Sequence, residues 1–293
     1  ELSLLEEIAF SIRKNFAIPV IEITTEKLTS RIFGEPSIDK NKNMLHYQNK
    51  RFSLFDKMIE IGISPRYCNT RNVPRRLKND VKHTSEEIFK LAIASMKQLV
   101  LIDYPQKSIA ESFNFEYEDF RKLIFTALSV DLKNLKDKIE KLSEKISDHG
   151  KYCISTGESR LEITPPWLNK RVFNGEFLSD SIIYLPTGKI EIMLNSVHLN
   201  GSFKADSLFF DNLHGENILV EFEEGRIKKI STENRNEAFY RLLDSLIDCK
   251  DNVTLILGAN PFSQILTHYP SLDEIVENSI SLRLTTNNDN TIL

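Results

Sequence analysis

One lysine stands at the start of an apolar run, where its side chain could do chemistry. Residues 185–191 read Leu-Pro-Thr-Gly-Lys-Ile-Glu, and the lysine is Lys189. An ammonium has three hydrogen-bond donors and no acceptor, so it can clamp a carboxylate or carbonyl but cannot coordinate a metal cation. A desolvated lysine can also lose its charge and act as a base or a nucleophile. Lys189 is therefore the candidate catalytic residue, and a structural or exposed lysine is the competing interpretation.

The other residue types that commonly do chemistry lack the spacing of a local site. The histidines of the second half of the chain form no H-x-H or i, i+4 pair, which a local metal site would need. The serines have no nucleophile-elbow context, and Cys153 has no obvious base partner. We expect ordinary hydrogen-bonded or solvent-facing side chains at all of these positions: His198, His214, His268, Ser155, Ser159 and Ser202.

Composition narrows the class of protein and its partners. The chain has 293 residues, of which 41% are hydrophobic and 27% charged, enough for two globular domains. Its formal net charge of −4 predicts neither a nucleic acid nor a membrane surface as partner. No apolar run approaches the roughly 18 residues that span a bilayer, and a signal-peptide pattern is absent. Three widely spaced cysteines predict reduced, buried or half-buried thiols and a cytoplasmic location: Cys68, Cys153 and Cys249.

The first half of the chain has the pattern of an α/β layer. Apolar periodicity predicts helices over residues 2–13, 25–33, 52–61 and 85–96, and for about thirty residues from Tyr117. Ser85 is the predicted N-cap of the fourth helix. Buried strands are predicted at residues 19–23 and 98–104, and a polar loop at residues 35–50. Because helices and strands alternate, we predict an α/β domain with an open sheet over residues 1–149.

The second half changes to short β-like runs separated by glycine turns. The predicted strands cover residues 152–155, 161–164, 181–184, 190–194, 207–210, 218–222, 227–230, 253–257 and 280–284. Glycine adopts positive φ at low cost, and the predicted turns are Asn174-Gly175, Thr187-Gly188, Asn200-Gly201 and Glu224-Gly225. With a helix at residues 234–247, this pattern predicts an α+β domain with a mainly antiparallel sheet over residues 150–293.

Two surfaces have a functional and an ordinary interpretation. Basic residues between Arg66 and Lys82 could bind phosphate or a partner, but the absence of interleaved aromatic residues favours a solvated surface. Five apolar residues spaced alternately by three and four form a seam on a helix. We expect the seam to pack within its own domain, with a coiled-coil partner or dimer contact as the alternative. Its residues are Leu132, Leu135, Ile139, Leu142 and Ile146.

The order of several segments resembles that of the aminopeptidase T family of metal-dependent exopeptidases. Residues 104–110, Tyr-Pro-Gln-Lys-Ser-Ile-Ala, resemble its Tyr-Pro segment before a helix of small residues. Residues 257–261, Leu-Gly-Ala-Asn-Pro, resemble its Gly-x-Gly-x-Asn-Pro element. Between them, residues 118–131, 173–188 and 200–227 resemble the helix that follows, the approach to the metal strand and the Gly-containing hairpins. The resemblance implies the family's fold and a homodimer paired through the second domains.

The resemblance also implies metal-ligand positions, and none of the family's ligands occupies them. That family holds two divalent metals with Glu, His and Asp, and the metals activate water and polarise the scissile carbonyl. The first Glu corresponds to Lys189, the second to a position near Thr254 and the first His to Ser281, while a His-x-Asp pair would fall beyond Leu293. Glu191 shares a strand face with Lys189 but is displaced by roughly 6.6 Å. It is the candidate replacement carboxylate, although we expect an ordinary exposed strand residue.

Three hypotheses of function follow. In the first, a degenerate aminopeptidase-like protein without the two-metal site or any cofactor binds a peptide, a peptide-like precursor or a partner protein. Its cleft positions are Lys189, Glu191, Thr254 and Ser281. In the second, the chain is a metal-dependent aminopeptidase that releases N-terminal residues with a divalent metal such as zinc. In the third, a metal-independent enzyme reuses the cleft with Lys189 as its catalytic residue. The ligand substitutions favour the first over the second, and the first and third stay open.

Overall fold

The structure is a computed structural model that describes most of the chain. The described residues are 2–23, 38–62, 78–95, 98–147, 150–165, 167–177, 182–194, 199–210, 213–232, 253–285 and 290–292. The chain divides into two compact units, one of Glu1–Phe52 with Cys68–Ala92 and the other of Ser53–Tyr67 with Ile93–Leu293. The second unit contains every candidate cleft residue. The predicted domain boundary between residues 149 and 150 stays a prediction.

The described residues form seven helices and thirteen strands. In chain order the described elements are α1 (Leu2–Lys14), α2 (Ile38–Phe52), β1 (Lys57–Gly62), α3 (Lys78–Ser95), β2 (Gln98–Asp103), α4 (Lys107–Ser112), α5 (Tyr117–Leu128), α6 (Leu132–Glu144), β3 (Tyr152–Thr156), β4 (Ser159–Ile163), β5 (Trp167–Phe173), β6 (Ile182–Leu185), β7 (Lys189–Leu194), β8 (Leu199–Phe210), β9 (Leu213–Glu223), β10 (Arg226–Ser231), β11 (Val253–Gly258), α7 (Pro270–Asp273), β12 (Ile280–Thr285) and β13 (Asn290–Ile292). No helix among these elements is long and apolar enough to cross a membrane.

The first unit confirms two predicted helices and corrects three predictions. Helices α1 and α3 are present, but α3 begins at Lys78, so Ser85 is not its cap. The predicted polar loop at residues 35–50 is wrong, because most of it forms α2, whose lysines and glutamine favour helix despite their polarity. Residues 19–23 are irregular rather than a buried strand, and Val20 is 67% exposed. The predicted helix at residues 25–33 lies outside the described residues.

A small parallel sheet has the strand order β1-β2-β6. Strand β2 confirms the predicted strand at residues 98–104, and it pairs in parallel with β1 on one side and β6 on the other. The helix predicted over residues 52–61 is wrong, because β1 occupies part of it. Pairing with β2 and the β-branched Ile59 and Ile61 favour the strand there.

A ten-stranded sheet confirms the predicted antiparallel pattern. Its order is β10-β9-β8-β13-β12-β11-β7-β5, with β4 pairing with β8 and β3 with β4, and all of these pairs are antiparallel. Strands β5 and β13 were not predicted. Glu224-Gly225 makes the tight turn between β9 and β10, with φ of 48° and 73°. The turn predicted at Asn200-Gly201 is wrong: both residues lie in β8, where a Cβ on Gly201 would come within 2.2 Å of the Arg160 carbonyl oxygen of β4.

The core of the large sheet lies against α6. Leu135 and Ile139 are buried in one cluster with Ile190 and Ile192 of β7, which supports the expected packing of the seam within the chain. The predicted thirty-residue helical stretch divides into α5 and α6. Helix α6 begins directly after Asp131, whose carboxylate accepts hydrogen bonds from the backbone N–H groups of Lys133 and Asn134 and caps the helix.

The cysteine prediction is corrected where the structure describes it. Cys153 is exposed rather than buried, on strand β3. Cys68 and Cys249 lie outside the described residues.

Candidate functional site

One face of the ten-stranded sheet brings the predicted cleft positions together. Side chains alternate along β7, so Lys189 and Glu191 point away from the core that Ile190 and Ile192 enter. The same face continues across the neighbouring strands β11 and β12, as their pairing register shows. Glu191 lies opposite Ile256, which lies opposite Ser281. Thr254 lies two residues before Ile256 on the same face. All four residues that the sequence placed in the cleft therefore share this face.

Four charged side chains form a buried ion network on this face, which we call the ion quartet: Lys189, Glu191, Glu274 and Arg283. Lys189 Nζ lies 2.9 Å from Glu191 Oε1, and Arg283 Nη2 lies 3.1 Å from the same oxygen. Glu274 bridges both cations, accepting from Lys189 with Oε2 and from Arg283 with Oε1. The four side chains are between 2% and 11% exposed.

The ion quartet is electrically balanced within itself. Two carboxylates face one ammonium and one guanidinium, so the four formal charges cancel. Lys189 Nζ also lies 5.1 Å from the centroid of the Phe173 ring, a cation–π contact. Mutual pairing is what allows four charges to be buried at once, because an unpaired buried charge carries a large desolvation cost.

Glu274 reaches the sheet because the chain packs unusually close to Gly258. A Cβ at this glycine would lie 2.0 Å from the Val276 carbonyl oxygen and 2.6 Å from Ser279 Oγ. Gly258 lies opposite Lys189 in the register, so the segment that packs on it holds Glu274 beside that lysine. The absence of a side chain at residue 258 is therefore a condition for the ion quartet.

Asn260 ties the same segment to its surroundings. This fully buried side chain donates to the Thr187 carbonyl at 2.8 Å and to the Ala127 carbonyl at 3.1 Å. Its backbone N–H donates to the Ile275 carbonyl at 2.9 Å, next to Glu274. The Asn-Pro element singled out in the sequence thus joins the turn before β7 to the segment that carries Glu274.

A second buried carboxyl lies next to the ion quartet in sequence. Asp273 Oδ1 accepts from the Thr267 backbone N–H at 2.6 Å and from Thr267 Oγ1 at 2.8 Å. Burial raises the pKa of the Asp273 carboxyl to about 6, although the Thr267 hydrogen bonds and nearby His268 act in the opposite direction. Asp273 therefore titrates in the weakly acidic range.

These residues do not fit a two-metal site. Both carboxylates of the ion quartet already accept from cationic groups, and those cations lie where metal ions would have to approach. Within the part of the chain that the structure describes, no group of three or more His, Cys, Asp and Glu side chains is arranged to hold a metal ion.

The remaining site predictions have mixed outcomes. The expectation of an exposed Glu191 is wrong: it is 5% exposed, since Lys189 and Arg283 compensate its charge. Thr254 is buried opposite Arg283, and Ser281 is half-buried. A catalytic role for Lys189 and ligand binding at the four positions stay predictions.

Sequence reasoning missed two members of the ion quartet. Arg283 lies two residues after Ser281 on one strand, so the period of two could have placed it on the same face. Glu274 follows the short helix α7, and no local pattern indicates that it faces the sheet. Of the histidines, His214 lies in β9 rather than in a turn, His268 adopts a positive φ of 62°, and His198 lies outside the described residues.

Comparison with known proteins identifies the fold. No family model matches the sequence, and no curated protein matches it. The structure is similar to that of wild-type AmpT, an aminopeptidase T from Thermus thermophilus, with a TM-score of 0.66. The match covers 96% of this chain and 77% of that chain at 13% sequence identity. At this identity the likeness shows the fold alone, so the chain has an aminopeptidase-like scaffold.

Proposed function

We propose that this protein is a metal-free relative of the aminopeptidases that binds a peptide or peptide-like ligand without cleaving it. The observation that carries the proposal is the ion quartet. It occupies the face where the resemblance places metal ligands, and it fills that place with two fixed cationic side chains.

Electrostatics argues against a divalent ion among these groups. Two unit charges 4 Å apart interact by about 4 kcal/mol at the effective dielectric constant typical of proteins. A divalent ion at that distance from the Lys189 ammonium would therefore be repelled by about 8 kcal/mol. The Arg283 guanidinium would add to this repulsion. The Glu191 and Glu274 oxygens, which would have to attract the ion, are already bonded to these cations.

The contacts of Lys189 favour a binding protein over an enzyme built on that lysine. A nucleophilic or basic amine needs a free lone pair and room for the substrate. The Lys189 nitrogen donates to Glu274, forms an ion pair with Glu191, lies over an aromatic ring, and belongs to a side chain that is only 10% exposed. These contacts support a structural role for Lys189 in shaping the face.

The ligand would lie beside the ion quartet, on what we call the rim: Arg171, Met193 and Ser281. These three residues are half-buried and share the face of the ion quartet, since Arg171 lies opposite Glu191 and Met193 opposite Thr254. A guanidinium and a hydroxyl can donate to peptide carbonyls or a terminal carboxylate, and a thioether adapts to apolar side chains. The rim therefore has the chemistry that a short peptide requires.

Thermal stabilisation in the presence of EDTA tests this proposal. The probes are alanine-based pentapeptides that differ only in their first residue, with mass spectrometry of the peptide after incubation. At a peptide concentration of one hundred times Kd, the folded state should gain about 2.7 kcal/mol. The expected result is stabilisation by at least one peptide, with every peptide recovered intact.

Matched variants locate the binding. Ser281→Arg should abolish the stabilisation, whereas Ser155→Arg, at an exposed serine of β3, should leave it unchanged. Stabilisation by none of the peptides would overturn the binding proposal. Cleavage that EDTA stops would establish the metal-dependent aminopeptidase instead. Cleavage that persists in EDTA but is lost in Lys189→Met, with circular dichroism showing that this variant is folded, would establish the lysine-dependent enzyme.

A further inference from the structure

The solvent-facing side of α1 has an ordered arrangement of charges around one aromatic residue. Phe10 is 69% exposed. Glu6 and Glu7 lie one turn before it, Arg13 and Lys14 lie one turn after it, and all four are exposed. At 3.6 residues per turn, these four positions fall within about 60° of Phe10 around the helix axis. The helix therefore presents an acidic patch, a phenylalanine and a basic patch in a row.

Apolar exposure continues beyond the end of α1. The helix ends in a left-handed turn at Phe16, where φ is 61° and the side chain is fully exposed. Four further apolar residues in the following irregular segment are at least half exposed: Ile18, Val20, Ile21 and Ile23. Summed over Phe10, Phe16 and these four residues, the exposed area is on the order of 800 Å².

We propose that this surface binds a second copy of the chain across a two-fold axis at Phe10. We call it the α1 surface, and it comprises Glu6, Glu7, Phe10, Arg13 and Lys14 with the apolar residues of segment 16–23. Two antiparallel α1 helices that cross at Phe10 place Glu6 beside the second copy's Arg13 and Glu7 beside its Lys14, because the members of each pair lie on the same side of the line of contact. Each contact occurs twice, as a two-fold interface requires.

Charge and area both favour a second copy as the occupant. The charge pattern is complementary to itself only when the helices run antiparallel, because a parallel pair would align acid with acid and base with base. The exposed apolar area is close to the roughly 800 Å² that each partner contributes to a standard interface. This surface differs from the pairing through the second domain that the resemblance implies.

The same charges have a competing explanation within one chain. Acidic residues near the N-terminus of a helix and basic residues near its C-terminus stabilise that helix through its dipole. A test must therefore separate association from the stability of α1, and swapping the charges does so. The swap preserves complementarity between two copies and reverses the interaction with the dipole.

Sedimentation velocity of the whole chain, over a concentration series, measures the association. The native chain is expected to dimerise, and Phe10→Asp should raise the dimer Kd by at least about tenfold, since it buries an unpaired charge at the axis. Leu54→Asp, at a leucine 78% exposed outside the α1 surface, is the matched control and should leave the dimer intact. Circular dichroism of each variant establishes that it is folded.

Charge variants then test the antiparallel arrangement. R13E/K14E should dissociate and E6K/E7K should dissociate, because each surface then carries one sign of charge. An equimolar mixture of the two variants should form a heterodimer, and the fourfold swap E6K/E7K/R13E/K14E should form a homodimer. A monomeric native chain, a dimer insensitive to Phe10→Asp, or failure of both the mixture and the fourfold swap would overturn the proposal.

Discussion

Removing one cation from the ion quartet gives the sharpest test of its role in stability. Lys189→Met keeps the length and apolar stem of the side chain but deletes the ammonium. Of the two cations in the ion quartet, the Glu191 and Glu274 carboxylates then keep Arg283 and lose Lys189, which removes one positive charge from a site that is at most 11% exposed. Breaking a buried ion pair by removing one partner typically costs about 3–5 kcal/mol, and we expect a loss of that size in the free energy of unfolding.

A compensated variant separates loss of charge balance from loss of packing. Lys189→Met combined with Glu191→Met removes one cation and one carboxylate, so that Arg283 and Glu274 still balance each other. Replacing a buried ion pair with apolar residues of similar volume is often neutral or stabilising. We therefore expect the double variant to be more stable than the single Lys189→Met variant, by about 2 kcal/mol or more.

The assay is urea unfolding followed by tryptophan fluorescence. Trp167 is the only tryptophan of the chain and belongs to β5, which pairs with β7, so its emission follows the sheet that carries the ion quartet. Lys228→Met, in a solvent-exposed pair with Glu223, is the matched control and should change stability little. A Lys189→Met variant as stable as this control, or a double variant less stable than the single one, would refute the reasoning.

Two further predictions concern the segment that holds Glu274. Burial raises the pKa of Asp273 from 3.8 to about 6, so the folded state binds this proton more tightly than the unfolded state. The stability that results is complete below pH 3.8 and is lost as the pH rises through 6. The native chain should therefore lose about 3 kcal/mol more of its unfolding free energy between pH 3.5 and pH 7 than Asp273→Asn does, as measured by urea unfolding, and the same pH dependence in both proteins would contradict this. Gly258→Ala should be strongly destabilising, because its methyl group would lie 2.0 Å from the Val276 carbonyl oxygen. The matched control is Gly62→Ala, at a glycine that also lacks a left-handed φ and where the nearest atom to the added Cβ is Gln106 Nε2 at 3.8 Å; equal stability of the two variants would show that residue 258 is not tightly packed.

The sequence predicted the large sheet well because its strands alternate. Most of its strands contribute apolar side chains from one face to the core cluster that includes α6, and alternation with a period of two identifies such strands. Strand β5 escaped prediction because exposed Asn169 and Lys170 interrupt its apolar pattern. Helix α2 escapes prediction for a related reason: it has few apolar residues, so its hydropathy pattern predicts a loop despite its helix-forming lysines and glutamine.

For the candidate site, the alternation of side chains along a strand predicts which residues share a face, but not which residues from other segments contact them. Lys189 and Glu191 were placed on one face by their spacing, and the structure confirms that they share it. Their burial could not be predicted, because it depends on Glu274, which is 85 residues from Lys189 in the sequence and belongs to the segment that packs on Gly258. The prediction of a buried strand at residues 19–23 shows the opposite error: burial was expected there from the apolar sequence, but the segment is mostly exposed.

Metal content is the most direct test of the central claim that paired side-chain charges have replaced a two-metal site. The purified chain should be equilibrated with zinc, cobalt and manganese in turn, desalted, and analysed by inductively coupled plasma mass spectrometry. The ion quartet predicts that no divalent metal is retained in stoichiometric amount and that EDTA leaves the unfolding free energy unchanged. Retention of two ions per chain, with loss of stability on chelation, would contradict it.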